Sequence, residues 1–184
     1  MTAELAVIAV VRVLGSLPVA RWAFAGAVLA ILVDLSDLFM MNLLHLGGVP
    51  NYQAADKWLD QVYLAAFLLV ALRWRALPGA IAVVLYLYRL VGFAVFEVSE
   101  ERWLLLAFPN VFEFWFLYVA GWLWWSRRRG HPNPRMGLAQ AATALVLLAT
   151  AKVAHEYVLH VARALDGFTA VEAVQAIWDW VTLG

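Results

Sequence analysis

Long apolar runs alternate with short polar breaks along the whole chain. Five runs dominate: about Ala20 to Leu46, stopped by Gly47-Gly48-Val49-Pro50; about Ala54 to Leu72, stopped by Arg73-Trp74-Arg75; Pro78 to about Val98; Trp103 to Trp125, stopped by Arg127-Arg128-Arg129; and Met136 to Ala162. Each approaches or exceeds the ~20 apolar residues that a helix needs to cross a bilayer. In lipid the backbone must satisfy its hydrogen bonds internally, so each run is predicted to be helical. Pro78 suits a helix start, where its missing N–H costs nothing.

Two further segments flank these runs. The apolar stretch ending at Pro18 is near 14 residues long. That is short of a crossing and predicts an interfacial or re-entrant helix. Its acid (Glu4) precedes its base (Arg12), the reverse of a signal peptide, so it reads as mature structure. At the other end, Thr169 and Glu172 have capping-box spacing. Glu172, Gln175 and Asp179 form one polar stripe opposite Val171, Val174, Ile177, Trp178 and Val181, the pattern of an amphipathic helix lying in the interface. The expectation is an all-α polytopic integral membrane bundle. It has about five transmembrane helices, an N-terminal interfacial or re-entrant helix and a C-terminal amphipathic helix, forming one domain over residues 1–184.

Composition agrees. The 184 residues are 65% hydrophobic and 14% charged, with a mean hydropathy of +0.80; soluble domains are nearer half apolar and a quarter charged. Ten Trp, ten Phe and six Tyr suit the lipid–water boundary. There is no Cys, which excludes disulfides, thiolate metal sites and cysteine nucleophiles. A net charge of zero gives no indication of nucleic acid. The implied partners are membrane lipids and other membrane subunits or a second copy of the chain.

Charge orients the runs. Arg12, Arg21, Arg73, Arg75, Arg127, Arg128, Arg129 and Arg135 fall on one side with Glu4, against Lys57, Arg102 and Arg163 with eight acids on the other. The positive-inside rule then puts the N-terminus in the cytoplasm and the C-terminus outside an inner or plasma-type membrane. If the Leu5–Leu17 stretch crosses as well, only the N-terminus changes side. The loop from Arg127 to Arg135 reads as a topology determinant facing anionic headgroups.

Ionisable residues at membrane depth are costly and point to function. The first run carries Asp34, Asp37 and, further on, His45; the second opens with Asp56 and Asp60. The third carries Arg89 and Glu97, the fourth Pro109, Asn110 and Glu113, and the fifth Lys152, His155, Glu156 and His160. Spacing places the charged groups of each run on one face. Simple pairing would join Arg89 to Glu113, and Lys152 to Asp34 or Asp37. Yet seven acids (Asp34, Asp37, Asp56, Asp60, Glu97, Glu113, Glu156) outnumber two bases at that depth. The excess must be protonated, hydrated or bound to a cation, so these groups are expected to line a polar cleft open to the outer face. Pro109, inside its run, is expected to bend the helix and free a backbone carbonyl.

The candidate roles follow from chemistry. Asp34, Asp37, Asp56 and Asp60 are the candidate metal ligands, because hard oxygen donors suit Mg²⁺ or another divalent cation. Arg89, Lys152 and Asn110 are the candidate groups for an anionic or polar headgroup. Glu113, His155 and Glu156 are the candidate catalytic proton carriers. His155 and His160 are five residues apart, about 500° around a helix, so the zinc-protease HExxH arrangement is absent. Haem ligation by His45 with His155 or His160 is the remaining histidine chemistry.

The stretch from Arg12 to about Leu72 loosely resembles the start of the CDP-alcohol phosphotransferases. These share an early helix with Arg, a helix ending in DxxDG..AR, and a helix opening with G...DxxxD. Asp34, Asp37, Asp56 and Asp60 sit close to that spacing, with one extra residue between the pairs; Leu38 stands for the Gly, and Met41-Asn42 for Ala-Arg. The resemblance covers about a third of the chain and implies a divalent metal and phosphate-ester chemistry on a lipid headgroup. Two other classes fit the charges: a proton- or cation-coupled transporter or channel, and an accessory subunit of a larger membrane complex.

Overall fold

The computed structural model describes residues 2–37, 52–99, 107–131, 134–160, 178–179 and 182; within these, the side chains at 52–54, 156 and 158–160 lie outside the description. All regular structure among the described residues is helical. Helix α1 (Ala3–Ser16) starts at Thr2, whose hydroxyl accepts from the Leu5 N–H, and passes into a 3-10 turn (Leu17–Ala20) that opens around Pro18. Helix α2 (Ala23–Leu35) doubles back along it. The return is tight: a Cβ on Gly26 would lie 2.4 Å from the Val19 nitrogen, and one on Gly15 would lie 2.9 Å from Val33. At Gly26 only glycine lets the two backbones approach so closely, and at Gly15 the missing side chain makes room for that of Val33.

Helices α3 (Tyr52–Ala71), α4 (Leu77–Ser99), α5 (Val111–Arg128) and α6 (Leu138–His160) complete the bundle. The hydrophobic core is drawn mainly from α2, α3 and α5, with Ala82 of α4 and Ala141 and Ala144 of α6 completing it. At its centre the Phe67 and Phe116 rings stack 4.3 Å apart, with Trp74 4.9 Å from Phe116. Trp115 is wholly buried, and its indole N–H donates to the Pro78 carbonyl at 3.1 Å. That bond ties α5 to the first turn of α4.

Three stretches are long and apolar enough to cross a membrane: Ala3–Ala20, Leu77–Ser99 and Leu138–His155. The last two match the predicted third and fifth spans. The first covers the N-terminal segment read as interfacial; there the 3-10 turn extends the apolar stretch past Pro18 to 18 residues, long enough to cross. Helices α2, α3 and α5 stand where the other predicted spans do. By length and composition, however, the described residues support three crossings rather than five. Much of the apolar surface faces outward. Leu69, Leu72, Val84, Leu87, Val91, Val146 and Leu147 are all more than half exposed, an arrangement that needs lipid or partner contact.

Pro109 does not bend a helix. It lies outside regular structure, and α5 begins two residues later with Asn110 as N-cap. At that position its missing N–H leaves no helical hydrogen bond unmade. His45 and the Gly47–Pro50 break lie outside the described residues, as does nearly all of the C-terminal amphipathic segment.

Candidate functional site

The predicted metal ligands lie at the ends of two helices. Asp34 lies in the last turn of α2, where the negative end of the helix dipole disfavours it, and Asp37 follows two residues past the end of that helix; Asp56 and Asp60 lie one turn apart near the start of α3. One residue from α1 draws all four together. The Arg12 Nη2 lies 2.8 Å from Asp34 Oδ1, 2.6 Å from Asp37 Oδ2 and 2.5 Å from Asp56 Oδ1. Its Nη1 lies 3.1 Å from Asp60 Oδ1 and 3.3 Å from the Asp56 carbonyl. Arg12 is 3% exposed and Asp37 1%. Ser16 secures the arginine's own turn by donating to the Arg12 carbonyl at 2.7 Å.

This overturns the placement of Arg12 on the opposite side from the acids. The charge count put it among cytoplasmic flanking residues because its apolar stretch seemed too short to cross. Antiparallel packing of α1 on α2 instead carries it to the acid-bearing end. Two features could have shown this: an arginine well inside an apolar stretch, and an acid excess that two bases left unmatched.

Arg12 still does not satisfy the cluster. A terminal guanidinium nitrogen carries two hydrogens, and three carboxylates crowd Nη2. Asp34 Oδ1, although 2.8 Å away, is left buried without a hydrogen bond, and so is Arg12 Nε. Four carboxylates face one guanidinium. Carboxylate oxygens of Asp34, Asp56 and Asp60 all lie within 4.8 Å of one another, a hard-oxygen donor set of the kind that suits Mg²⁺ or Ca²⁺.

A second polar network adjoins the first. Glu113 Oε2 accepts from the Tyr63 hydroxyl at 3.1 Å and from Asn110 Nδ2 at 2.9 Å. Tyr63 lies one turn along α3 from Asp60. The expected Arg89–Glu113 ion pair does not form. Arg89 Nη1 instead donates to the Phe108 carbonyl at 2.9 Å, and the Tyr88 hydroxyl donates to the Ala107 carbonyl. Gly92 leaves the gap that Phe108 fills; a Cβ there would lie 2.2 Å from Phe108 Cβ. Helix α4 therefore pins the chain leading into α5, and with it Asn110 and Glu113.

No protein-family model, curated protein or solved structure matches this chain.

Lys152 and His155 both lie beside Phe114 of α5. Lys152 is buried with its Nζ 5.1 Å over the Phe114 ring, and the exposed His155 ring lies 6.2 Å from the same ring. Glu156 is on α6, but its side chain is outside the description, as are His45 and the His160 side chain. Arg12 and Tyr63 were both missed as site residues. Tyr63 looks like one more interior aromatic until α5 sets Glu113 against its hydroxyl.

Proposed function

We propose that the chain is a membrane protein that holds a divalent cation on Asp34, Asp56 and Asp60 and uses it to bind a phosphorylated lipid headgroup. The observation that carries this reading is the convergence of those three carboxylates around a guanidinium too small in charge to neutralise them. A bound divalent ion would neutralise and orient a phosphate group. Arg12 holds the four acids in register at the end of α2 and the start of α3. Glu113, held by Tyr63 and Asn110, supplies a nearby proton acceptor.

The fuller topology belongs to this reading. Helices α2, α3 and α5 cross together with the three stretches that are by themselves long and apolar enough to span. The arginine-rich turns face the cytoplasm, and the acid cluster faces outward. Because Ala3–Ala20 crosses too, the N-terminus lies outside.

The test is Mn²⁺ binding to purified full-length chain, followed by electron paramagnetic resonance. Saturable binding displaced by Mg²⁺, and lost in Asp56→Asn and Asp60→Asn, is expected. Wild-type chain that leaves the Mn²⁺ signal unchanged overturns the reading.

The Tyr63–Glu113 bond beside Asp34 favours a second reading, a proton relay. It expects pH-gradient-driven flux in liposomes that Glu113→Gln abolishes; vesicles without flux remove it.

A further inference from the structure

At the end of α3 away from the acid cluster, four arginines from three segments surround one cavity. Arg73 and Arg75 lie in the turn between α3 and α4, Arg127 lies near the end of α5, and Arg135 precedes α6. The cavity has a volume of about 790 Å³; Trp74 and Trp122 form part of its wall, and among the described residues none that lines it is acidic. Gathering like charges without a counter-charge is unfavourable, and an anion relieves it.

The backbone that presents two of these arginines is tightly set. Ala76 is held at φ 57°, in the left-handed region that L side chains rarely adopt. A Cβ on Gly79 would lie 2.7 Å from the Trp74 carbonyl oxygen, so the turn packs directly on the first turn of α4. The indole of Trp115 holds that same turn through Pro78. Arg128 and Arg129 behave differently. They lie over Trp124 and Trp125 at 4.3 and 4.7 Å and do not line the cavity. Planar guanidinium groups with several donors match phosphate oxygens in a bidentate manner, and indole walls suit an interfacial ligand that is part polar and part apolar.

We propose that this cavity binds a dianionic phosphate group, carried on a lipid headgroup or as free phosphate. None of its residues belongs to the acid cluster, so Asp56→Asn should leave this binding intact even where it abolishes Mn²⁺ binding.

The test uses the full chain in phosphatidylcholine nanodiscs, titrated with dioctanoyl phosphatidic acid or with inorganic phosphate and followed by tryptophan fluorescence. Saturable binding is expected. Losing two charge-assisted contacts in R75Q/R127Q should weaken it at least about tenfold. The charge-matched R128Q/R129Q should change it by less than about twofold, since exposed charges off the site contribute little. If R75Q/R127Q does not fold, the exposed single variant R135Q carries the comparison. Saturation by phosphatidic acid alone identifies a lipid headgroup, and saturation by both probes identifies free phosphate as sufficient. Saturation by neither overturns the proposal. Equal weakening in the two double variants does so as well, because it marks diffuse attraction rather than a site.

Discussion

Arg12 is the residue on which the acid cluster depends. Without it, four carboxylates from α2 and α3 would face one another with no counter-charge. Removing one partner of a buried ion pair costs about 3–5 kcal/mol, so Arg12→Gln should lower the thermal midpoint in detergent sharply. Because the excess acids are then the defect, adding Asp37→Asn to Arg12→Gln should recover part of the loss. A single variant as stable as wild type would show that Arg12 does not hold the cluster together. The same contact limits what a sequence could disclose. The Asp spacing reveals each pair on its own helix, at offsets of three and four, but nothing local says that Arg12 lies against both. That knowledge needs α1 packed antiparallel to α2 and also against α3, which brings together residues 22 to 48 positions apart.

Two glycines set the element contacts that place these residues. Gly26 brings α2 against the 3-10 turn, and Gly92 brings α4 against Phe108. Substitution by Ala forces a Cβ to 2.4 Å from the Val19 nitrogen in one case and to 2.2 Å from Phe108 Cβ in the other. Overpacking of this kind costs about 1–3 kcal/mol. Gly26→Ala should be the harder to absorb, because its obstacle is backbone. Gly137→Ala is the internal control, with nothing within 4 Å of the added methyl. Thermal melts that rank Gly137→Ala as no less damaging than Gly26→Ala would refute this view of the packing. Helix existence was legible for every described element, since lipid leaves the backbone no alternative. Helix limits were less so. Pro109 lies inside a continuous apolar run, and only the Arg89, Tyr88 and Gly92 contacts from α4 show that the chain enters α5 just after it.

For the molecule as a whole, the exposed leucines and valines of α3, α4 and α6 predict that the chain stays with the membrane pellet after alkaline carbonate extraction; release into the supernatant would contradict a spanning arrangement. The absence of cysteine makes topology directly testable. In inner-membrane vesicles and intact cells, a cysteine placed at Thr2 should react with an impermeant maleimide from the outer face. One placed at Ser126 should react only from the cytoplasmic face. Labelling of Thr2 solely from the cytoplasm would return Ala3–Ala20 to an interfacial role and would also separate Arg12 from a crossing helix.

Solvent preference can be read one residue at a time. The sequence alone therefore determined that the chain is helical and strongly apolar, that its arginines collect at certain breaks, and that acids outnumber bases within its apolar runs. Which groups meet is a different matter, because contacts across helices depend on how close two backbones can come. The Gly15 and Gly26 approaches, the gap at Gly92 and the turn at Ala76 set those distances. They place Arg12 among four aspartates and Tyr63 on Glu113, and they gather four arginines around one cavity at the other end of α3. Only the tertiary structure decided those meetings.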